Sequence, residues 1–189
     1  METHNLFVAF AGSDRIARGN LAEVTRLVRE FDLGDRTDIL IFDARTARRV
    51  EADLRTFPAV SETRPMEEME EPVPQRPDRP RPGVVPGEVT LLPRHWEWLD
   101  RQPGGASVAL RRLVDEARKA NAEKDRIREA QEAAYRFMAT LAGNEPGFEE
   151  ASRALFASNK ERFAERIAAW PPDVRDFTMQ LANPAFDNE

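Results

Sequence analysis

Cysteine is missing from this sequence, and histidine occurs only as His4 and His95. These absences exclude disulfides, thiol nucleophiles, sulfur-ligated metals and histidine-rich metal centres. No apolar run reaches membrane-spanning length, and residues 1–19 lack the basic start and apolar middle of a secretory signal. A cytoplasmic protein that does not engage the membrane is expected. The pieces of an active site are also lacking. No serine or carboxylate motif accompanies His95, which sits beside Trp96 and Trp98, and Gly104-Gly105 lacks the spacing and Lys-Ser/Thr ending of a phosphate loop. Asp43, Glu51 and Asp53 surround an expected hairpin, where acidic residues are ordinary in turns and at edges. No enzyme, cofactor or metal is expected from these residues.

What is present is unevenly spread along 189 residues of net charge −6. Residues 1–71 and 120–189 are acidic, whereas residues 72–119 carry 9 basic and 6 acidic side chains and form a mildly positive middle. An excess of this size is compatible with a polyanion partner but does not require one.

The order of hydrophobic patterns defines four regions. Residues 1–55 read as a small α+β unit. NLFVAFAG is a continuous apolar run ending at Gly12, RIAR is its hairpin partner, and Asn20 with Glu23 forms a capping box. The helix that follows carries Leu21, Val24, Val28 and Phe31 on one face and meets Gly34 as a terminator. DILIFD is the strongest strand, and ARTA with RRVEADL gives a turn and a returning strand, completing a ββαββ sheet. Residues 56–86 lose all periodicity: PMEEMEEPVPQRPDRPRPGVVPG holds seven prolines and blocks of opposite charge, the composition of a disordered, extended linker. Its acidic run, Glu67, Glu68, Glu70 and Glu71, could fold back on the arginines that follow.

Residues 120–189, with the preceding stretch from Ala106, read as helices. Ile127, Ala130, Ala134, Phe137 and Leu141 form a packing seam, and Gly143 to Gly147 interrupts it. Phe148, Ala151 and Leu155 mark the next helix, Ser158 opens another as a cap three residues before Glu161, and Phe163, Ile167 and Trp170 share its face. Pro171 and Pro172 stop it, and Val174, Phe177 and Leu181 mark a last helix. The result is an all-helical C-terminal bundle, also a possible surface for a protein partner. Whether it touches the N-terminal sheet is left open by the sequence.

Residues 87–119 are too few to bury a core alone. Val89 to Leu92 has strand character with unmated edges, Pro93 begins a helix carrying Trp96 and Leu99, and Pro103-Gly104-Gly105 ends it. Ser107 opens a second helix with Leu110, Leu113 and Val114 on its stripe. A second copy of the chain would satisfy strand and helices together, so Val89, Leu91, Leu92, Trp96, Leu99, Leu110, Leu113 and Val114 are the candidate dimerisation residues.

This segment resembles the ribbon-helix-helix fold, in which two chains pair their strands into a ribbon for the DNA major groove. The resemblance implies that DNA is a partner, met by Thr90, Arg94, Ser107, Arg111 and Arg112. One departure is visible: with Leu92 in the core register Val89 and Leu91 face outward, and in the shifted register Glu88, Thr90 and Leu92 do. Neither set reads bases well. A helix-turn-helix over Pro93–Gln102 and Ala106–Lys119, and a dimerisation element without nucleic acid, are the other readings of these residues.

PRHWEWLDRQPGGASVALRRLVDEAR, AAYRFMATLAG, PGFEEASRALFA and IAAWPPDVRD are similar to an uncharacterised bacterial family, domain-of-unknown-function family 2239. That resemblance implies an AT-hook-like arm before the strand, here Arg79, Pro80, Arg81 and Pro82, with Asp78 where the hook's glycine would be. Arg79 and Arg81 would enter a narrow minor groove while the prolines keep the arm extended. The functional expectation is a homodimeric DNA-binding protein, a regulator or nucleoid-associated protein. A protein-interaction adaptor or antitoxin-like protein, dimerising through the same segment, is its alternative.

Overall fold

The computed structural model describes residues 5–30, 39–51, 85 and 87–187. Among these residues ten elements follow in order: β1 (Phe7–Ala11), β2 (Asp14–Gly19), α1 (Leu21–Glu30), β3 (Ile39–Asp43), β4 (Arg49–Val50), α2 (Pro93–Asp100), α3 (Ala106–Leu141), α4 (Phe148–Phe156), α5 (Lys160–Ile167) and α6 (Pro172–Ala182), closed by a short 3-10 turn. The class is α+β, with an N-terminal four-stranded sheet followed by helices. The chain divides into two compact units, Met1–Phe57 with Asn121–Glu189, and Pro58–Ala120.

In the first unit the sheet order is β2-β1-β3-β4, all antiparallel, with β1 paired on both sides. Its central strands are covered on both faces, which is why NLFVAFAG runs continuously apolar instead of alternating. Val8, Phe10 and Phe42 face the C-terminal helices, whereas Ala9, Ala17 and Ile41 face Val24 and Val28 of α1. A bulge between Ala9 and Phe10 leaves one extra residue on β2. The α1 capping box forms as expected: Glu23 N–H donates to Asn20 Oδ1 and Asn20 N–H to Glu23 Oε2, both at 3.0 Å.

The helical side is built around aromatic rings. Phe137 lies 5.1 Å from Phe10, 5.2 Å from Phe42 and 4.7 Å from Phe177, in tilted and edge-to-face pairs. The expected seam on α3 is present, widened by buried Ala133 and Met138. Phe163, Ile167, Trp170, Val174, Phe177 and Leu181 join the same core, so sheet and bundle share one interior. Trp170 Nε1 donates to Pro146 O at 2.9 Å, and Arg15 N–H to Asp173 Oδ2 at 2.8 Å, fastening the β1–β2 hairpin to the start of α6. Gly147, with φ +81°, sits so close to Arg166 O that a Cβ there would come within 3.1 Å.

Two expectations change, and others fall outside the described residues. The α5 cap is Asn159, whose side chain accepts from Arg162 N–H at 2.9 Å, and not Ser158, which takes a positive φ of 51° in the preceding turn. An amide oxygen one residue later reaches the orphan N–H with the required geometry. Val89 to Leu92 carries no strand in the single chain, because among the described residues it has no strand neighbour. Leu92 is nonetheless extended, with φ −69° and ψ 151°. Phe31, Gly34 and the linker apart from Val85, including Asp78, Arg79, Arg81 and the acidic run, lie outside the described residues.

Thr178 is wholly buried, and its hydroxyl has no hydrogen-bond partner among the described residues. Thr178→Val should therefore raise stability by about 1 kcal/mol in urea melts. Phe137→Ala should lower it by about 3–5 kcal/mol while far-UV and near-UV signals still melt together, since the ring serves sheet and helices at once.

Candidate functional site

The second unit contains most residues singled out for function. Among its described residues two apolar side chains are buried, Leu99 of α2 and Ala109 in the first turn of α3. Leu91 and Leu110 are half-buried, whereas Val89, Leu92, Leu113 and Val114 are exposed, as are Trp96 at 39% and Trp98 at 44%. Eight of the eleven exposed large hydrophobic residues among those described fall between Val85 and Val114. The candidate dimerisation residues thus lie mostly on open surface, in a unit whose described residues bury few apolar side chains. Backbone groups of residues 88–91 take part in no hydrogen bond among the described residues, while Leu92 O accepts from His95 N–H at 2.8 Å to start α2.

The candidate DNA contacts are exposed too: Thr90, Arg94, Ser107, Arg111 and Arg112. They are not a free cationic set. Arg111 Nε donates to Ser107 O at 3.1 Å, and Arg112 reaches Glu116 at 3.8 Å. Glu97, Asp100 and Asp115 stand exposed among them, so residues 87–120 carry six arginines and lysines against five carboxylates. His95 is exposed on α2 and takes part only through its backbone.

A second site, within the first unit, went unread in the sequence. The turn between β3 and β4 is organised by Asp43, whose Oδ1 accepts from Thr46 N–H at 2.7 Å, Thr46 Oγ1 at 2.8 Å and Arg45 N–H at 3.0 Å. Partial burial pushes this carboxyl toward its neutral form, but the Thr46 and Arg45 donors, with the Arg45 charge, outweigh that and hold it below the ordinary aspartate value. Arg136 of α3 donates to Thr46 O and clamps the turn from the other side. Beside it opens a cleft of about 1120 Å³ lined by residues from β2, the β3–β4 turn, α3 and α6. Its arginines come from three separated stretches, Arg18, Arg45 with Arg48, and Arg126 to Arg136. Charge averaged over segments hides such a grouping, and only RTARR in the turn hinted at it.

Fold and surfaces together define a small α+β protein with an apolar helix pair exposed in its middle. Residues 6–182 match the family described as an uncharacterised protein conserved in bacteria, DUF2239, and the chain belongs to that family. No curated protein and no solved structure matches. Among the described residues no helix is long and apolar enough to cross a membrane.

Because the Asp43 carboxyl is lowered in the folded state, its contribution to stability is present above the ordinary value of 3.8 and is lost as pH falls through the lowered folded value. Asp43→Asn should thus lower Tm at neutral pH and flatten the acid limb of the Tm profile, read by calorimetry between neutral and acid pH.

Proposed function

We propose that this chain is a non-enzymatic, self-associating interaction protein whose residues 87–119 pair with the same segment of a second copy. The observation that supports this reading is the exposure of Val89, Leu92, Trp96, Trp98, Leu113 and Val114 in a unit with only two buried apolar residues among those described. Exposed large apolar side chains gathered in one short segment are a recurrent mark of an interface. A unit this small rarely stands without a partner, a metal or disulfides, and cysteine is absent.

A second copy fits better than an unlike partner for two reasons. An extended segment with unused backbone groups is completed by an antiparallel copy of itself, in which each N–H row faces the matching C=O row. The segment also has nearly balanced charge, so a two-fold arrangement can set Arg94, Arg111 and Arg112 against Glu97, Asp115 and Glu116 without assembling like charges. In this adaptor reading the C-terminal helices remain available to other proteins.

DNA is the second reading. Its support is the start of α3, which has no acidic residue in its first turn, close in sequence to exposed Arg111 and Arg112. A helix N-terminus of this kind favours phosphate. Thr90, Arg94 and Ser107 would join it on a paired ribbon, with Arg79 and Arg81 acting from the linker. The near balance of charge makes this the weaker of the two.

Sedimentation equilibrium should give twice the chain mass at micromolar concentration. The double variant Trp96→Asp with Leu113→Asp should shift the equilibrium at least tenfold toward the single chain without changing far-UV circular dichroism. A single-chain mass for the unmodified protein at high concentration removes the proposal. Fluorescence anisotropy on an A·T-rich duplex decides the second reading: binding that weakens steeply with salt supports DNA, and no binding at low salt rejects it.

A further inference from the structure

The arginine-lined cleft lies wholly in the first unit and stands apart from self-association. Among the described residues six guanidinium groups line it, those of Arg18, Arg45, Arg48, Arg126, Arg128 and Arg136. Four carboxylates share the wall: Asp43, Asp125, Glu129 and Glu132. The cleft is therefore cationic in a chain of net charge −6.

The carboxylates do not meet the cations evenly. Arg128 pairs with Asp125 at 2.8 Å and approaches Glu132 at 3.9 Å, Arg45 faces Glu129 at 3.7 Å, and Arg126 holds Glu123 at 2.6 Å. Arg136 is committed to Thr46 O, and Asp43 to its own turn. Arg18 and Arg48 have exposed side chains with no ion pair or side-chain hydrogen bond among the described residues. Arg18 sits on β2 opposite Val8, on the sheet face that meets the helices, and Arg48 follows the Asp43 turn, which presents it on a constrained backbone. Two unpaired guanidinium groups on one cleft, beside an Arg45 opposed only at 3.7 Å by Glu129, are the groups an anion would meet there.

We infer that this cleft binds a compact phosphate-bearing anion, held by Arg18 and Arg48 with Arg45 in support. Guanidinium groups present forked donors that match phosphate and carboxylate oxygens, and a multiply charged anion can engage two or more of them at once. Among the described residues no aromatic side chain lines the cleft. Recognition therefore rests on charge and hydrogen bonding and not on stacking of a base, which needs an aromatic platform. A volume of about 1120 Å³ is ample for a di- or triphosphate group with a small substituent. The carboxylates of Glu129 and Glu132 set a directional expectation: they oppose the ligand and weaken its binding.

Isothermal titration of the full chain with sodium pyrophosphate, at constant ionic strength, tests this. Pyrophosphate should bind at one site per chain, and the double variant Arg18→Gln with Arg48→Gln should bind at least tenfold more weakly. Both positions are exposed, so that variant should keep the Tm of the parent. Arg153→Gln, on an exposed arginine of α4 outside the cleft, should bind as the parent does. Glu129→Gln should bind more tightly, which loss of a merely structural ion pair would not produce. Citrate at equal ionic strength should bind clearly more weakly than pyrophosphate. No heat with pyrophosphate, equal weakening by Arg153→Gln, or citrate binding as tightly as pyrophosphate would each overturn the inference.

Discussion

One aromatic contact group governs this architecture. Phe10 and Phe42 project from neighbouring strands onto Phe137 of α3, and Phe177 of α6 closes against Phe137 at 4.7 Å. Burying such rings stabilises the fold by roughly 2–3 kcal/mol each, and the tilted and edge-to-face pairings add to that. The group joins residues nearly 170 positions apart in the chain, so the first 50 residues and the last 70 or so cannot fold as separate pieces. The sheet is thin, and without α1 on one face and the helices on the other its central strand would expose apolar residues on both.

That shared core leaves the middle of the chain with its own problem. Leu99 and Ala109 are all that α2 and the start of α3 bury fully between them, while apolar side chains crowd their outer surface. Length drives this outcome: the segment is no longer than a hairpin of helices, too short to bury the apolar side chains it carries. The proposed self-association follows from that mismatch. Pairing with a second copy gives the apolar residues a place to go and the idle backbone of residues 88–91 a partner. The mixed charges of the segment suit such a pairing better than they suit a phosphate backbone.

Much of the fold was legible in the sequence because its signals are local. The Asn20–Glu23 capping box, the continuous apolar run of β1 and the seam from Ile127 to Leu141 depend on neighbours within a few residues, and each appears where its pattern lies. Ser158 was a reasonable cap by type, yet the backbone turn places Asn159 where an oxygen can meet Arg162 N–H. Contact between sheet and bundle was not legible, since no local pattern encodes which apolar faces meet. The arginine cleft was hidden for the same reason, its residues being drawn from stretches that each look like an ordinary solvated face. The middle segment was half legible: its apolar positions and helix boundaries were readable, but strand character alone could not make a strand without a neighbour.

The cleft and the middle segment use different physics, and the Asp43 turn explains why the first can be rigid while the second depends on assembly. Three hydrogen bonds to one carboxylate oxygen fix the turn that carries Arg45 and Arg48, independent of any partner. Nothing comparable holds residues 87–92 among the described residues. Amide hydrogen exchange across a concentration series measures this contrast most directly. Protection at residues 88–91 and in α2 should rise with protein concentration, while β1 and α6 exchange slowly throughout. Equal protection of the middle segment at every concentration, down to dilutions where only the single chain is present, would contradict the account.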